Sequence, residues 1–281
     1  MSRRLMALAT PRIHHDALDW VRRVVANGGS CSQSTLRAVS AFCDAIDRAG
    51  IRDCFYRLNL FAGNSDASLA AVRTPLYRGP SLGGTQYGNA TDTNVNFVAG
   101  DYAETGASGG LQGNGLNRYL NTGLATSALP QVATMHLSAY RGPGAMSNRS
   151  LIGSRNATDR YHIFRRGDGV HQTTLGQLQN ALNFSETGVN DGGLYIGTRT
   201  SATSLVLRRN NAQIAINTTS TSPAATTFPF FVFVDNASGA PDGFVSTRMM
   251  GYSIGDGLTA SQADSFNAAM QVFQTALGRQ V

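Results

Sequence analysis

Ser204-Leu205-Val206-Leu207-Arg208-Arg209-Asn210-Asn211-Ala212-Gln213-Ile214-Ala215-Ile216-Asn217-Thr218 holds two short, largely apolar runs around an Arg-Arg-Asn-Asn-Ala connection. Asparagine accepts the positive φ that a tight reversal between antiparallel strands demands, so the stretch predicts a β-hairpin. Reading outward, runs of similar texture recur on both sides. Upstream they occupy residues 95–98, 119–120, 131–140, 161–164 and 193–198; downstream they occupy 228–234 and 249–254. Turn-forming residues punctuate them, and no helical pattern intervenes. Such spacing predicts a mainly β fold, an antiparallel β-sandwich or jelly roll, and argues against an alternating α/β sheet.

The two ends read differently. Ala17, Leu18, Val21, Val24 and Val25 recur at helical spacing, with Gly28-Gly29 as the stop. Ser32 or Ser34 can cap a second helix carrying Leu36, Val39, Phe42, Cys43 and Ile46, which ends at Gly50. Residues 51–61 continue as a third helix, with an extended Cys54-Phe55-Tyr56 as the alternative. At the other end, Thr259-Ala260-Ser261-Gln262 is a capping box, and Leu258 can staple to Ala263. Phe266, Ala269, Met270, Phe273 and Leu277 then form one apolar face before Gly278. The chain divides into a helical segment, residues 1–73, suited to docking or oligomerisation, and a sandwich domain, residues 74–281. Trp20 with Val21, Val24 and Val25 is the expected assembly interface; packing on the sandwich is the competing use of that stripe.

Composition narrows the function classes. The 281 residues suffice for a full core. Charged residues make up 14%, against about 25% in ordinary domains, and glycine, asparagine, serine and threonine fill the gap. All 23 cationic residues are arginine, and Glu104 and Glu186 are the only glutamates among 17 acids, which excludes a site built on several glutamates. The net charge of +6 is dispersed in pairs such as Arg3-Arg4, Arg22-Arg23, Arg165-Arg166 and Arg208-Arg209. A phosphate-tracking surface needs a stripe, so nucleic acid is not the expected partner. Cys31, Cys43 and Cys54 form no C-x-x-C pair and fit free thiols in a reducing cytosol. Residues 1–11 show no secretion signal, and the apolar run at 228–234 contains Pro229 and is too short for a bilayer.

Motifs carry little chemistry. Gly106-Ala107-Ser108-Gly109-Gly110 matches G-x-S-x-G, but the glycine-rich residues after it cannot supply the helix that a nucleophile elbow needs. Arg166-Gly167-Asp168 spells an adhesion tripeptide that a turn explains equally well, and the sequons at Asn89 and Asn156 follow from composition. His14, His15, His136, His162 and His171 show no i, i+4 ligand pair. No cofactor is expected. Structural calcium is the one metal that Asp92, Asn94, Asn190, Asp191, Asp235, Asn236 and Asp242 suggest, although no EF-hand loop is present. Glycoside hydrolysis needs facing carboxylates, and Glu104 and Glu186 stand apart.

Asn96-Phe97-Val98-Ala99-Gly100-Asp101-Tyr102, Gly113-Asn114-Gly115 and Tyr119-Leu120-Asn121-Thr122 resemble a recurring pattern in virion proteins of tailed phages and prophages. Gly251-Tyr252-Ser253-Ile254-Gly255, Leu258-Thr259 and Ala276-Leu277-Gly278-Arg279 are similar to that family's ending, and the helical opening over residues 36–51 to its preamble. The similarity covers most of the chain, with residues 146–225 matching in texture more than in letters. It implies a concanavalin A/laminin-G-like jelly roll behind a small helical segment, in a tail, baseplate, fibre or head-decorating protein made in the host cytoplasm. The implied partners are other virion proteins and further copies of the chain, and no catalytic residue is transferred. The expectation is a non-enzymatic structural protein of the virion. The alternative is a receptor- or carbohydrate-binding tip that engages a cell-surface glycan.

Overall fold

The computed structural model describes residues 12–64, 69–144, 149–165, 170–177, 182–185, 192–220 and 222–281. Two sheets stack face to face. The first runs, edge to edge, through β13 (Ala212–Asn217), β12 (Ser204–Arg209), β11 (Gly193–Ser201), β6 (Met135–Arg141), β17 (Arg248–Gly255), β4 (Gly110–Gln112) and β3 (Tyr102–Ala103), with β1 (Phe55–Asn59) also paired to β17. The second runs through β10 (Leu182–Ser185), β9 (Val170–Gln177), β8 (Asp159–Arg165), β7 (Arg149–Arg155), β14 (Pro229–Val232), β5 (Tyr119–Ala125) and β2 (Thr93–Val95). A small hairpin, β15 (Asp235–Ala237) and β16 (Ala240–Asp242), lies along β7. The hairpin read first in the sequence is β12–β13, with Asn210 at φ +51° and Leu205 opposite Asn217. The Leu194 N–H donates to Asn210 Oδ1 at 3.0 Å, tying that turn to β11.

Alternation sorts the side chains between two cores. On β17, Met249, Tyr252 and Ile254 face the second sheet, while Met250 faces away; on β11, Tyr195 faces inward and Leu194 and Ile196 outward. The first sheet is thus apolar on both sides and must be covered on both. Its outer face carries α1 (His15–Ala26), α2 (Gln33–Arg48), the single turn α3 (Ala70–Arg73) and α4 (Ala260–Ala276). Trp20, Val24, Phe42, Phe266, Met270 and Phe273 pack there on Tyr140, Leu194, Ile196 and Met250. Among the described residues, none of the second sheet joins this helical core. The cap of α4 is the one its sequence spells: the Gln262 N–H donates to Thr259 Oγ1 at 3.3 Å and the Thr259 N–H to Gln262 Oε1 at 2.9 Å.

Two expectations about the first 73 residues change. Residues 51–61 form no third helix; a 3-10 turn at Arg52–Cys54 leads into β1, whose Leu58 and Asn59 pair with Ser253 and Tyr252. All five β1 residues are buried, so neither period marks the segment in sequence. The boundary at 73/74 therefore separates nothing: β1 is a strand of the sandwich, and α1 and α2 share their core with α4. Trp20 is 2% exposed and Val24 fully buried, and the Trp20 Nε1–H donates to the Thr74 carbonyl at 3.0 Å. Val21 is half-buried. Of the four expected interface residues, Val25 alone lies open to solvent, at 63% exposure. The chain's own core consumes that stripe. Among the described residues, no helix is long and apolar enough to cross a membrane.

Candidate functional site

With the first sheet largely covered by helices, the outer face of the second is the sheet surface that reaches solvent in part. Thr93 is exposed and Tyr119, Asn121, Arg155 and Arg160 are half-buried, while Phe231, His162 and Thr174 are buried. Antiparallel register places one cross-strand row on it: Thr93, Asn121, Phe231, Gly153, His162 and Thr174, each the partner of the next. Phe230 and Val232 point into the core, so Phe231 points out. Beside it stands Tyr119, two residues before Asn121 on the same face of β5, with ring centroids 4.7 Å apart. The half-buried Phe244 ring lies 6.1 Å from that of Tyr119, giving three rings along one end of the face. Phe231, at 5% exposure, forms the floor of this platform, and Tyr119 and Phe244 form its accessible part.

The other end is charged. Arg155 and Arg160 sit directly opposite each other on β7 and β8. Like charges so placed repel, and the β15–β16 hairpin supplies the counter-charge. Asp235 and Asp242, themselves cross-strand partners, both receive Arg155: Nε donates to Asp235 Oδ2 at 2.8 Å and Nη2 to Asp242 Oδ2 at 2.6 Å. Asp235 lies over Gly153, where a Cβ would stand 2.3 Å from its Oδ1. Behind it is the fully buried His162, with Nδ1 3.8 Å from Asp235 Oδ2 and Nε2 3.4 Å from Thr174 Oγ1. Burial pushes the imidazole below its ordinary value, against the pull of Asp235, and keeps it neutral.

The residues singled out in the sequence fall elsewhere or find other uses. The calcium candidates do not converge on a cation. Asp92, fully buried, accepts from Arg57, Asn59 and Tyr252; Asn94 closes a turn with Phe97; and Arg155 stands between Asp235 and Asp242, where a cation would sit. Among the described residues, His14, His15 and Asp16 bring ligand atoms within 4.8 Å of one another, but their hydrogen bonds are spent locally. His14 Nδ1 accepts the Asp16 N–H, its Nε2 donates to Asp47, and Asp16 Oδ2 accepts from Arg52. The glycine run at 106–110 is a bracket on α4: the Gly106 N–H donates to the Leu277 carbonyl at 3.0 Å, and a Cβ at Gly109 would strike the buried Arg279 stem at 2.3 Å.

Glu104 accepts from Thr35 Oγ1 and, at 2.5 Å, from the Tyr102 hydroxyl. Burial, then the Glu104 charge, holds that phenol well above its ordinary value, so Tyr102 keeps its proton. Cys31 and Cys54 are half-buried and Cys43 buried; burial raises their thiols to about 12, 11 and 12 respectively. Glu186, Asn190, Asp191 and the Arg166-Gly167-Asp168 tripeptide lie outside the described residues. The sequence reading passed over Tyr119, Phe244, Arg155 and Arg160. Alternation in residues 119–125 does put Tyr119 and Asn121 on one face, but only register shows that they meet Phe231.

No family model matches the chain, and no curated protein does. Solved structures match its fold. A mutant of Trypanosoma rangeli sialidase displaying trans-sialidase activity matches over 85% of this chain and 39% of its own, with TM-score 0.50 and 9% identity. The K499G mutant of NanB sialidase from Streptococcus pneumoniae matches over 56% and 27%, with TM-score 0.44 and 12% identity. Botulinum neurotoxin type C, in a structure concerned with its dependence on two ganglioside molecules for cell entry, matches over 57% and 42%, with TM-score 0.43 and 13% identity. The chain spans less than half the length of each. The likeness is one of fold, and it agrees with the β-sandwich. It also corrects two expectations. A sandwich that a sialidase shares over 85% of this chain gives no ground for a purely structural reading. Neither the non-enzymatic virion component nor the exclusion of enzymatic activity is retained.

Proposed function

We propose that the chain binds carbohydrate on the open face of its second sheet. The observation that carries this reading is the pairing of two surfaces there: the Tyr119, Phe231 and Phe244 rings at one end, with Asn121 opposite Phe231, and Arg155 with Asp242 at the other. A pyranose presents an apolar C–H face and a hydroxyl rim. Aromatic rings cover the first, and side chains with fixed donors and acceptors answer the second. A stiff sheet holds these groups in place before the ligand arrives, which lowers the entropic cost of binding. The fold shared with a sialidase supports the choice of ligand class and makes sialylated cell-surface glycans the first to test.

The test is a glycan array followed by titration of the best ligand against the unaltered chain, Tyr119→Ala and Phe244→Ala. Each substitution is expected to weaken binding by about tenfold or more, the effect of losing one stacked ring. Melting temperature should change little, because both rings are half-exposed. A chain that retains no glycan, or variants that bind as well as the parent, would refute the assignment. Release of free sugar from the retained glycan in the same incubations would extend the reading to hydrolysis.

A further inference from the structure

A second polar cleft lies on the other sheet, at the end that the helices leave uncovered. It encloses about 210 Å³ and is lined by Gln112, Ser246, Thr247 and Arg248, with Ala107 and the Gly142-Pro143-Gly144 backbone as the remaining wall. This is below the roughly 300–1,000 Å³ of drug-sized sites, so the occupant is one small unit. Arg248 of β17 and Gln112 of β4 are direct cross-strand partners on the face away from the sandwich core, since Met249 and Leu111 beside them point inward.

Arg248 differs from the buried arginines of this fold. Arg57 donates to Asp92, Tyr252 and two carbonyls, and Arg279 to Gln274 and the carbonyls of Leu60 and Phe61. Arg248 is half-buried, makes one hydrogen bond, 3.3 Å from Nη1 to the Gly110 carbonyl, and has no carboxylate partner among the described residues. A guanidinium offers five donors in a planar fork, and a desolvated one without an acid is a cost to the fold. That cost is visible as a pKa pushed down by burial alone. The backbone is nevertheless shaped to admit it. Gly110 holds φ +111°, and a Cβ there would come 2.5 Å from the Met249 carbonyl oxygen and 3.2 Å from the Arg248 Cγ.

We infer that this cleft is a subsite for an acidic sugar, with Arg248 holding the carboxylate and Gln112, Ser246 and Thr247 the hydroxyls. Among the described residues, Pro143 and Ala107 are the only apolar side chains in the lining, and the single charge is that of Arg248, which suits a largely polar occupant with one negative charge. A hexuronate has that chemistry, whereas an amino acid with an apolar side chain does not. The inference does not depend on the open face of the second sheet, because no residue is shared.

The experiment is calorimetric titration of the full chain with glucuronate, glucose, N-acetylalanine and sulfate, repeated on Arg248→Gln, Arg248→Lys and Gln112→Ala. Glucuronate alone should bind. Arg248→Gln should weaken it by about tenfold or more, as loss of a charge-assisted pair does, and Arg248→Lys should restore part of the affinity. Gln112→Ala should weaken binding with the charge intact. The melting temperature of Arg248→Gln should stay level or rise, since a charge without a partner is removed. Equal binding of glucose would overturn the carboxylate assignment, and equal binding of N-acetylalanine or sulfate would overturn the sugar. A fall in the melting temperature of Arg248→Gln, or unchanged glucuronate affinity in it, would make the guanidinium structural. Running Tyr119→Ala in parallel separates the sites: it should leave glucuronate binding intact even where glycan retention is lost.

Discussion

Acidification should destabilise this fold through one imidazole, and the size of the effect follows from its surroundings. His136 on β6 is fully buried. Its Nδ1–H donates to the Asp256 carbonyl at 2.6 Å, and its Nε2 accepts from Ser253 Oγ at 2.9 Å. Ser138 Oγ lies 2.6 Å from Ser253 Oγ and completes the chain. The rings of Phe55 and Phe266 flank the imidazole at 5.4 and 6.4 Å, and Gly255 leaves it room: a Cβ there would meet its Cε1 at 2.5 Å. A proton on Nε2 would reverse the serine bond and place a charge among apolar rings. Burial accordingly lowers the pKa from 6.5 to about 4, with the Asp256 carbonyl pulling weakly the other way.

The direction is fixed by which state binds more protons. Between pH 6.5 and about 4 the unfolded histidine is charged while the folded one is neutral. The contribution is therefore complete above 6.5 and drains away as pH falls through that window. At about 1.36 kcal/mol per pH unit, roughly 2.5 kcal/mol is gone by pH 4.5. To isolate this imidazole from every other group the assay is a difference: urea denaturation of the parent and His136→Gln at pH 7 and pH 4.5. The variant should be less stable at pH 7, and the gap should close by about 2.5 kcal/mol at pH 4.5. A gap independent of pH would show that the imidazole is not held neutral.

Four other substitutions can be checked by denaturation. Asp92→Asn strands Arg57, whose pair with Asp92 is fully buried on both sides, and should cost about 3–5 kcal/mol; a loss under about 1 kcal/mol would mean that Tyr252 and the carbonyls suffice. Gly153→Ala drives a Cβ against Asp235 Oδ1 at 2.3 Å and His162 Cβ at 2.9 Å, so about 1–3 kcal/mol should be lost, along with glycan retention if the open face is the site. Val25→Ser, at 63% exposure, should shift stability by less than about 0.5 kcal/mol, whereas Trp20→Phe gives up the bond to Thr74 and should cost about 1 kcal/mol.

What could be read in the sequence was local. The β12–β13 hairpin announces itself through alternation and two asparagines, and α4 through a capping box that needs only four residues. β1 did not, because its strand character comes from pairing with β17 far along the chain; Arg57 and Tyr252 in the two strands are 195 residues apart. Full burial removed the alternation that would have flagged it. The same holds for the open face. Arg155 meets Asp235 and Asp242 across 80 and 87 residues, and only strand order brings them together. The part played by Glu104, which the sequence shows only as standing apart, was illegible for a related reason. An acid's role depends on what faces it, and Glu104 faces Thr35 and Tyr102, two groups that hold it in place.

The layering also separates what the fold needs from what it tolerates. The first sheet spends both faces on packing except at the Gln112–Arg248 end, so most of its residues are explained by burial. The second spends one, and its outer face could have been filled with threonine and serine at no cost. Instead it sets Arg155 against Arg160 and buries His162 without charge. Asp235 Oδ1 is left with no hydrogen-bond partner among the described residues. Each of these opposes stability: like charges across a strand pair, a desolvated imidazole and an unsatisfied carboxylate oxygen. A solvating surface gains nothing from them, nor from three tilted aromatic rings at the other end of the face. Departures from local consistency that stability does not reward, gathered on one face, are the pattern a functional site leaves, and they support the proposal of a ligand there. For the proposed carbohydrate, the ring platform would take the apolar face and the Arg155–Asp242 end the hydroxyls.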